Sequence, residues 1–256
     1  MGRIIAIANQ KGGVGKTTTS INLAACLAEK GNRVLAIDMD PQGNMTSGLG
    51  IDKSEIQYSI YDAMCGNCNL GEAMLLNVFD NLNVVPASRE LAGAEIDFIE
   101  VEDKQYVLKN TIKNIRKKFD FIIIDCPPAL GILTVNAMTA ADTVIVPIQC
   151  EFYALEGLSQ LIYTVDLIKQ KLNKHLEIEG VVFTMYDSRN NLSQEVVDNV
   201  KNNLDQIIYN TVVPRNVRLA EAPSFGLPIN LYDSRSTGAE AYRQLADEVM
   251  KNKLFL

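Results

Sequence analysis

Two lysines share one glycine-rich stretch. Residues 8–19 read ANQKGGVGKTTT. Gly15, Lys16 and Thr17 end the pattern G-x-x-x-x-G-K-[ST], in which a loop wraps phosphate oxygens. The first glycine of that pattern is replaced by Gln10, and a second lysine, Lys11, follows it. The run Gly12-Gly13-Val14-Gly15 lets backbone N–H groups turn inward and approach a phosphate closely. A helix beginning near Lys16 adds its positive dipole end. Lys16 supplies a point charge for the β- and γ-phosphates, and the Thr17 hydroxyl is placed to ligate Mg²⁺. Thr18, in the first turn of that helix, is a donor for the α-phosphate. Lys11 has no role in this chemistry as read from the residues alone.

Carboxylates recur at two strand ends. FDFIIIDCPP ends an apolar run in Asp125 before Pro127 and Pro128 stop it. RVLAIDMDPQGN carries Asp38 and Asp40 two residues apart. Mg²⁺ takes oxygen ligands and keeps several waters, so Asp125 is expected to reach it through water. Of Asp38 and Asp40, one helps hold the metal and the other orients the attacking water. The water is assigned to Asp40, further out in the loop, and the metal to Asp38. After the prolines, ALGIL with Gly131 forms a loop suited to sensing the γ-phosphate.

The elements that position these groups are short β-branched runs at 3–8, 33–38, 82–87, 119–125, 143–148, 179–185 and 207–213. Several are apolar at consecutive positions, as in parallel strands covered on both faces. Stretches at 17–30, 104–118, 154–171, 193–204 and 238–252 are expected as crossover helices. Residues 43–81 are less regular and are expected as a loop-and-helix excursion. The pattern predicts one domain over 1–256, an α/β fold with a doubly wound, mostly parallel sheet and helices on both faces, of the P-loop NTPase type. Its ligands then bind at the carboxyl ends of the strands.

Composition fits a globular chain, with 47% hydrophobic and 21% charged residues. A net charge of −7 excludes a protein covered in basic surface but leaves room for a local patch. The five cysteines are odd in number, which suggests free thiols in a reducing compartment. No run approaches the ~20 apolar residues of a membrane span. A cytoplasmic protein is expected. Cys65 and Cys68 form a lone C-x-x-C without a second pair or nearby histidine, and are read as incidental thiols.

Four separated motifs then carry a resemblance over essentially the whole chain. KGGVGKTT with Lys11 is similar to the deviant Walker A motif, VLAIDMDPQGN to Walker A′ and FDFIIIDCPP to Walker B. VPRNVRLAEAPSFGLPINLYDSRSTGAEAYRQLADE resembles the C-terminal region of the chromosomal ParA (Soj) family within the MinD/ParA superfamily. With its phosphate loop starting at residue 9, the chain resembles the short chromosomal form. The resemblance implies an ATPase that uses ATP and Mg²⁺, pairs as an ATP-dependent nucleotide-sandwich homodimer, and is stimulated by a ParB-type protein. It also gives Lys11 a role, that of contacting the phosphates held by the other subunit, with Gly12 where the two backbones meet. It implies that the ATP dimer binds double-stranded DNA without sequence preference, with Arg189 and Arg218 at positions the family uses, and hence a nucleoid-associated protein. It places Pro214 and Asn216 beside the adenine, with Met185 against the ring, and Glu151 near the partner's Lys11 or the ribose. The alternative is a MinD-like membrane-associated ATPase of cell-division site selection. That class ends in a basic amphipathic helix, whereas DEVMKNKLFL offers only Lys251 and Lys253 beside Met250, Leu254 and Phe255. No membrane partner is expected.

Overall fold

A computed structural model describes residues 2–151, 154–203 and 208–252. Eight strands form one sheet: β1 (Arg3–Ile7), β2 (Val34–Asp38), β3 (Leu75–Phe79), β4 (Leu82–Val85), β5 (Phe121–Asp125), β6 (Thr143–Gln149), β7 (Glu177–Tyr186) and β8 (Ile208–Pro214). Their order is β3-β4-β2-β5-β1-β6-β7-β8, parallel except for β3, which runs antiparallel to β4 at one edge. The consecutive apolar residues of the central strands alternate between two cores. Ile4, Ala6, Leu35, Ile37, Ile122 and Ile124 face one side, while Ile5, Ile7, Val34, Ala36 and Ile123 face the other. The first core is closed by the helices Ile132–Ala140, Ala154–Lys171 and Asn191–Asn203, the second by Lys16–Glu29 and Thr237–Lys251. This is the doubly wound arrangement that the apolar runs predict.

Three local expectations need correction. Residues 104–118 do not form one helix: a 3₁₀ turn (Lys104–Tyr106), a short helix (Val107–Ile112) and a second 3₁₀ turn (Arg116–Lys118) replace it. Asn110, Thr111 and Asn114 are poor helix formers there. The 43–81 excursion contains, besides the short helices Asn44–Gly48 and Ile60–Cys65, the edge strand β3. That strand is irregular: its register to β4 shifts, and Asn77 sits at φ 50°. The helix Ile132–Ala140 has no counterpart in the expected elements. Leu133, Ala137, Met138 and Ala140 are buried, as are the polar Thr134, Asn136 and Thr139, so no amphipathic period marks it.

The loop after Asn44–Gly48 is held by backbone contact. Gly50 and Gly226 meet so closely that a Cβ on Gly226 would lie 2.5 Å from the Gly50 Cα, at a φ of +66°. Gly226→Ala is therefore expected to lower Tm by about 4 °C or more, since left-handed strain alone costs about 1–3 kcal/mol. A thermal melt checks this; an unchanged Tm would mean that the two loops separate freely.

Among the described residues no helix is long and apolar enough to cross a membrane. Met250 and Lys251 end the last described helix, whereas Lys253, Leu254 and Phe255 lie outside the described residues.

Candidate nucleotide site

The loop after β1 turns on Gly13 (φ +73°) and Gly15 (φ +85°) and enters the Lys16–Glu29 helix directly. A Cβ at Gly12 or Gly13 would meet no atom within 4 Å, so their backbones face open space. The loop is braced from below. Asn9, buried, donates its side-chain amide to the Pro147 carbonyl at 2.7 Å and accepts from the Lys11 N–H at 3.0 Å. The Thr184 hydroxyl donates to the Val14 carbonyl at 2.8 Å. Val14 is itself buried, which anchors the loop to the protein.

The two lysines part company. Lys16 is buried, and its ammonium donates to the Lys11 carbonyl across the loop at 3.1 Å. Burial lowers its pKa, against the pull of Asp125, Cys126 and Asp40 nearby. Lys11 points away: its ammonium pairs with Glu151 at 2.7 Å, with the lysine 36% and the glutamate 48% exposed. Glu151 therefore meets the Lys11 of its own chain. Because exposed pairs are worth about 0–1 kcal/mol, this one is a weak latch.

Three carboxylates converge on the floor. Asp38 and Asp125 are register partners at the ends of β2 and β5. Asp125 is wholly buried, accepting from the Thr17 hydroxyl at 2.8 Å and the Ser20 hydroxyl at 2.7 Å. Asp38, also wholly buried, accepts from both the N–H and the hydroxyl of Thr46, at 2.8 and 2.7 Å, and from the Asp40 N–H at 3.1 Å. Burial raises both pKa values, for Asp125 with added repulsion from Asp38 and for Asp38 against the Thr46 hydrogen bonds. Asp40 starts a tight turn, its carboxylate accepting from the Gln42 N–H at 2.9 Å. The sequence reading missed Asn9, Ser20, Thr46 and Thr184. Only Ser20 carries a local signal, one helical turn after Lys16, which places both on the same side of the helix.

The residues expected around a base also come together. Gly15, Thr18, Thr184, Met185, Pro214 and Asn216 border one cavity of about 320 Å³, with Tyr242 and Leu219 at its back. Asn216 is held by two bonds, donating to the Thr237 hydroxyl at 2.8 Å and accepting from the Arg218 N–H at 2.8 Å. Met185 sits at φ 51°, a costly conformation for a side-chain-bearing residue. Arg189 and Arg218 stand outside this cavity, beyond the ends of β7 and β8. Arg189 is 87% exposed and forked onto Asp187; Arg218 pairs with Glu221 at 2.9 Å and Asp233 at 3.5 Å.

The donor set fits Mg²⁺. It consists of hard oxygens from Thr17 and Asp125, with Asp38 beside them, and the cradle above is open. Among the described residues no group of three acidic, histidine or cysteine side chains would hold an ion unaided. Mg²⁺ differs from ions held in all-protein cages because substrate phosphates and water complete its shell.

Residues 2–178 match a family described as an AAA domain. The chain is 54% identical over 252 residues to the sporulation initiation inhibitor protein Soj of Bacillus subtilis (strain 168), covering 98% of this chain and 100% of that one. It is 51% identical over 251 residues to the chromosome partitioning protein ParA of Myxococcus xanthus (strain DK1622), covering 98% and 89%. Among solved structures, cobyrinic acid a,c-diamide synthase from Mycobacterium smegmatis with bound ADP and magnesium has a TM-score of 0.87 at 37% identity, covering 98% of this chain and 95% of that one. With identity at this level over nearly the full length of each chain, the chain belongs to the Soj/ParA family of chromosome-partitioning ATPases.

Proposed function

We propose that this chain is a Mg²⁺-dependent ATPase whose ATP-bound form pairs with a second copy, binds DNA without sequence preference and is reset when a ParB-type partner stimulates hydrolysis. The observation that carries this reading is the division of labour in the loop: Lys16 lies inside with the carboxylates, while Lys11 stands at the rim on an exposed glutamate. A lysine at the rim of one site is placed to serve a site brought against it.

In this reading the backbone N–H groups of residues 12–18 and Lys16 bind the triphosphate, Thr18 takes the α-phosphate, and Met185, Pro214 and Asn216 hold the base. Thr17 and Asp125, with Asp38 alongside, would hold Mg²⁺, which would supply positive charge to the phosphates. Asp40 orients the attacking water. The partner's Lys11 offsets charge on the transferring phosphoryl group, the role of an arginine finger. Pairing juxtaposes two copies of the Arg189 and Arg218 surface, which raises the number of phosphates neutralised and steepens the salt dependence. Such phosphate-directed contacts carry no sequence information. The protein is then cytoplasmic and nucleoid-associated.

The deciding experiment loads ATP on a variant blocked in hydrolysis, Asp40→Ala, and asks whether it shifts random-sequence duplex DNA at low salt. Failure to shift would end the partition reading, and recovery of the ATP form with floated liposomes would favour the membrane alternative. Arg218→Glu is expected to abolish the shift of the ATP form while leaving ATP-dependent pairing intact by ultracentrifugation. Loss of both would put Arg218 in the pairing surface.

A further inference from the structure

Thr46 stands where the exits of two strands meet. It lies in the short helix Asn44–Gly48 that follows β2, and its side chain is wholly buried. A hydroxyl in a helix commonly donates to the carbonyl one turn back, as those of Ser47, Thr111, Ser159 and Thr164 do. The Thr46 hydroxyl instead donates to Asp38 Oδ2 at 2.7 Å, and the Ala87 N–H, just past β4, donates to the same hydroxyl oxygen at 3.0 Å. A backbone N–H only donates and an ionised carboxylate only accepts, so the single hydroxyl proton is committed to Asp38. The anchor is firm, because β2 and β4 pair in register from Val34–Leu82 to Ile37–Val85.

From this point the hydrogen bonds run outward to Asp40. Asp38 takes the Thr46 hydroxyl and N–H on Oδ2, and the Asp40 N–H on Oδ1 at 3.1 Å. Asp40 Oδ1 then accepts from the Gln42 N–H at 2.9 Å, and the Asp40 carbonyl accepts from the Gly43 N–H at 2.8 Å. Asp38 is gripped by both oxygens, and a carboxylate held against rotation fixes the backbone at Asp40. Asp38 is wholly buried, so no bulk water stands by to replace a lost donor. Without the Thr46 hydroxyl, Oδ2 keeps only the N–H, and the carboxylate is free to turn.

We propose that Thr46 is a positioning residue for ATP hydrolysis: its hydroxyl, anchored on Ala87, orients Asp38 and through it the backbone that carries Asp40. The role rests on the reading that gives Asp40 the attacking water. Nucleotide binding is assigned elsewhere, to the backbone of residues 12–18 and to Lys16. Loss of the hydroxyl should therefore slow the chemical step and spare binding. A group displaced by about 1 Å from its working geometry can cost about 10²-fold in rate.

The test uses the full chain with ATP and Mg²⁺. Thr46→Val keeps the shape and removes the hydroxyl. It is expected to lower kcat about 10- to 100-fold, with KM for ATP and the affinity for a fluorescent ATP analogue, with or without Mg²⁺, held within about threefold. Thr46→Ser restores the hydroxyl and is expected to recover kcat to within about threefold of wild type. In Asp40→Ala, which lacks the group being positioned, adding Thr46→Val is expected to change the residual rate by less than about twofold. Amide hydrogen exchange at residues 40–43 of the nucleotide-free chain is expected to quicken about tenfold or more in Thr46→Val. A merely structural hydroxyl would lower nucleotide affinity along with kcat and act additively with Asp40→Ala. Should a thermal melt show that Thr46→Val does not fold, Thr46→Cys, with its weak donor, takes its place under the same criteria. The proposal is overturned if the valine variant keeps its kcat, if the loss is equal on both backgrounds, or if serine fails to recover the rate. If Asp40→Ala itself hydrolyses ATP like wild type, the assignment of the water to Asp40 falls and this role with it. An inactive Asp40→Ala beside an active Thr46→Val overturns this role alone.

Discussion

Lys11→Ala is expected to bind ATP within about fivefold of wild type, because the side chain it removes is engaged only in a weak exposed ion pair with Glu151. The same variant is expected to lose ATP-dependent pairing and to hydrolyse ATP about 10³-fold more slowly under conditions that stimulate wild type, the lower range for a finger supplied in trans. Lys16→Ala should behave oppositely. Its ammonium is buried at the loop and faces Asp125 and Asp40. Removing a charge-assisted donor worth about 1.5–3 kcal/mol should weaken nucleotide binding about 10- to 100-fold. A fluorescent-nucleotide titration beside ultracentrifugation separates the two lysines. Equal loss of nucleotide affinity in both would sink the assignment of Lys11 to a neighbouring site. Gly12→Val offers an independent check. A Cβ there meets nothing within 4 Å, so the monomer should fold and bind nucleotide while the added side chain obstructs pairing.

Lys16 was legible in the sequence from residue types and spacing, Lys11 only through the family resemblance, and other parts of the site not at all. The loop is local. Its glycines, Lys16 and Thr17 are consecutive, and the phosphate chemistry follows from types and spacing. Asp38 and Asp125 were legible because each closes an apolar run, and a parallel sheet brings such ends side by side. Thr46 was invisible for the converse reason. It lies in a short helix eight residues beyond Asp38, and only tertiary folding delivers its N–H and hydroxyl to that carboxylate. Asn9 and Thr184 brace the loop from positions with no motif of their own. The fold shows the same division. Buried parallel strands announce themselves by consecutive apolar residues, but Ile132–Ala140 buries polar residues along with apolar ones and has no period to read. Strand β3 hid because its register slips and Asn77 leaves the extended region.

The buried carboxylates set up a conflict between stability and function that one substitution should expose. Asp125 sits wholly buried beside Asp38, and burial first, then that neighbour, raises its pKa. A carboxyl with a raised pKa in the folded chain holds its proton where the unfolded chain has released it. The folded state then binds more protons than the unfolded one, and nucleotide-free stability falls as pH rises from the ordinary carboxylate range upward. Asp125→Asn keeps the shape and one acceptor for Thr17 or Ser20 while removing the titrating charge. It is expected to raise the Tm of the nucleotide-free protein at pH 8 by about 2–4 °C, the shift that about 1 kcal/mol gives in a chain of this size, and to flatten the fall in Tm between pH 5 and 8. The same change removes a hard oxygen from the Mg²⁺ donor set, so hydrolysis should fall about 100-fold or more. Differential scanning calorimetry across pH, paired with phosphate release, reads both effects. A lower Tm at pH 8 would show that the ionised carboxylate is held by Lys16 and the Thr17 and Ser20 hydroxyls more strongly than burial opposes it. A higher Tm with lost hydrolysis would mean that the floor of this site is strained in the empty state, and that binding of nucleotide and metal relieves the strain by supplying the positive charge the carboxylates lack.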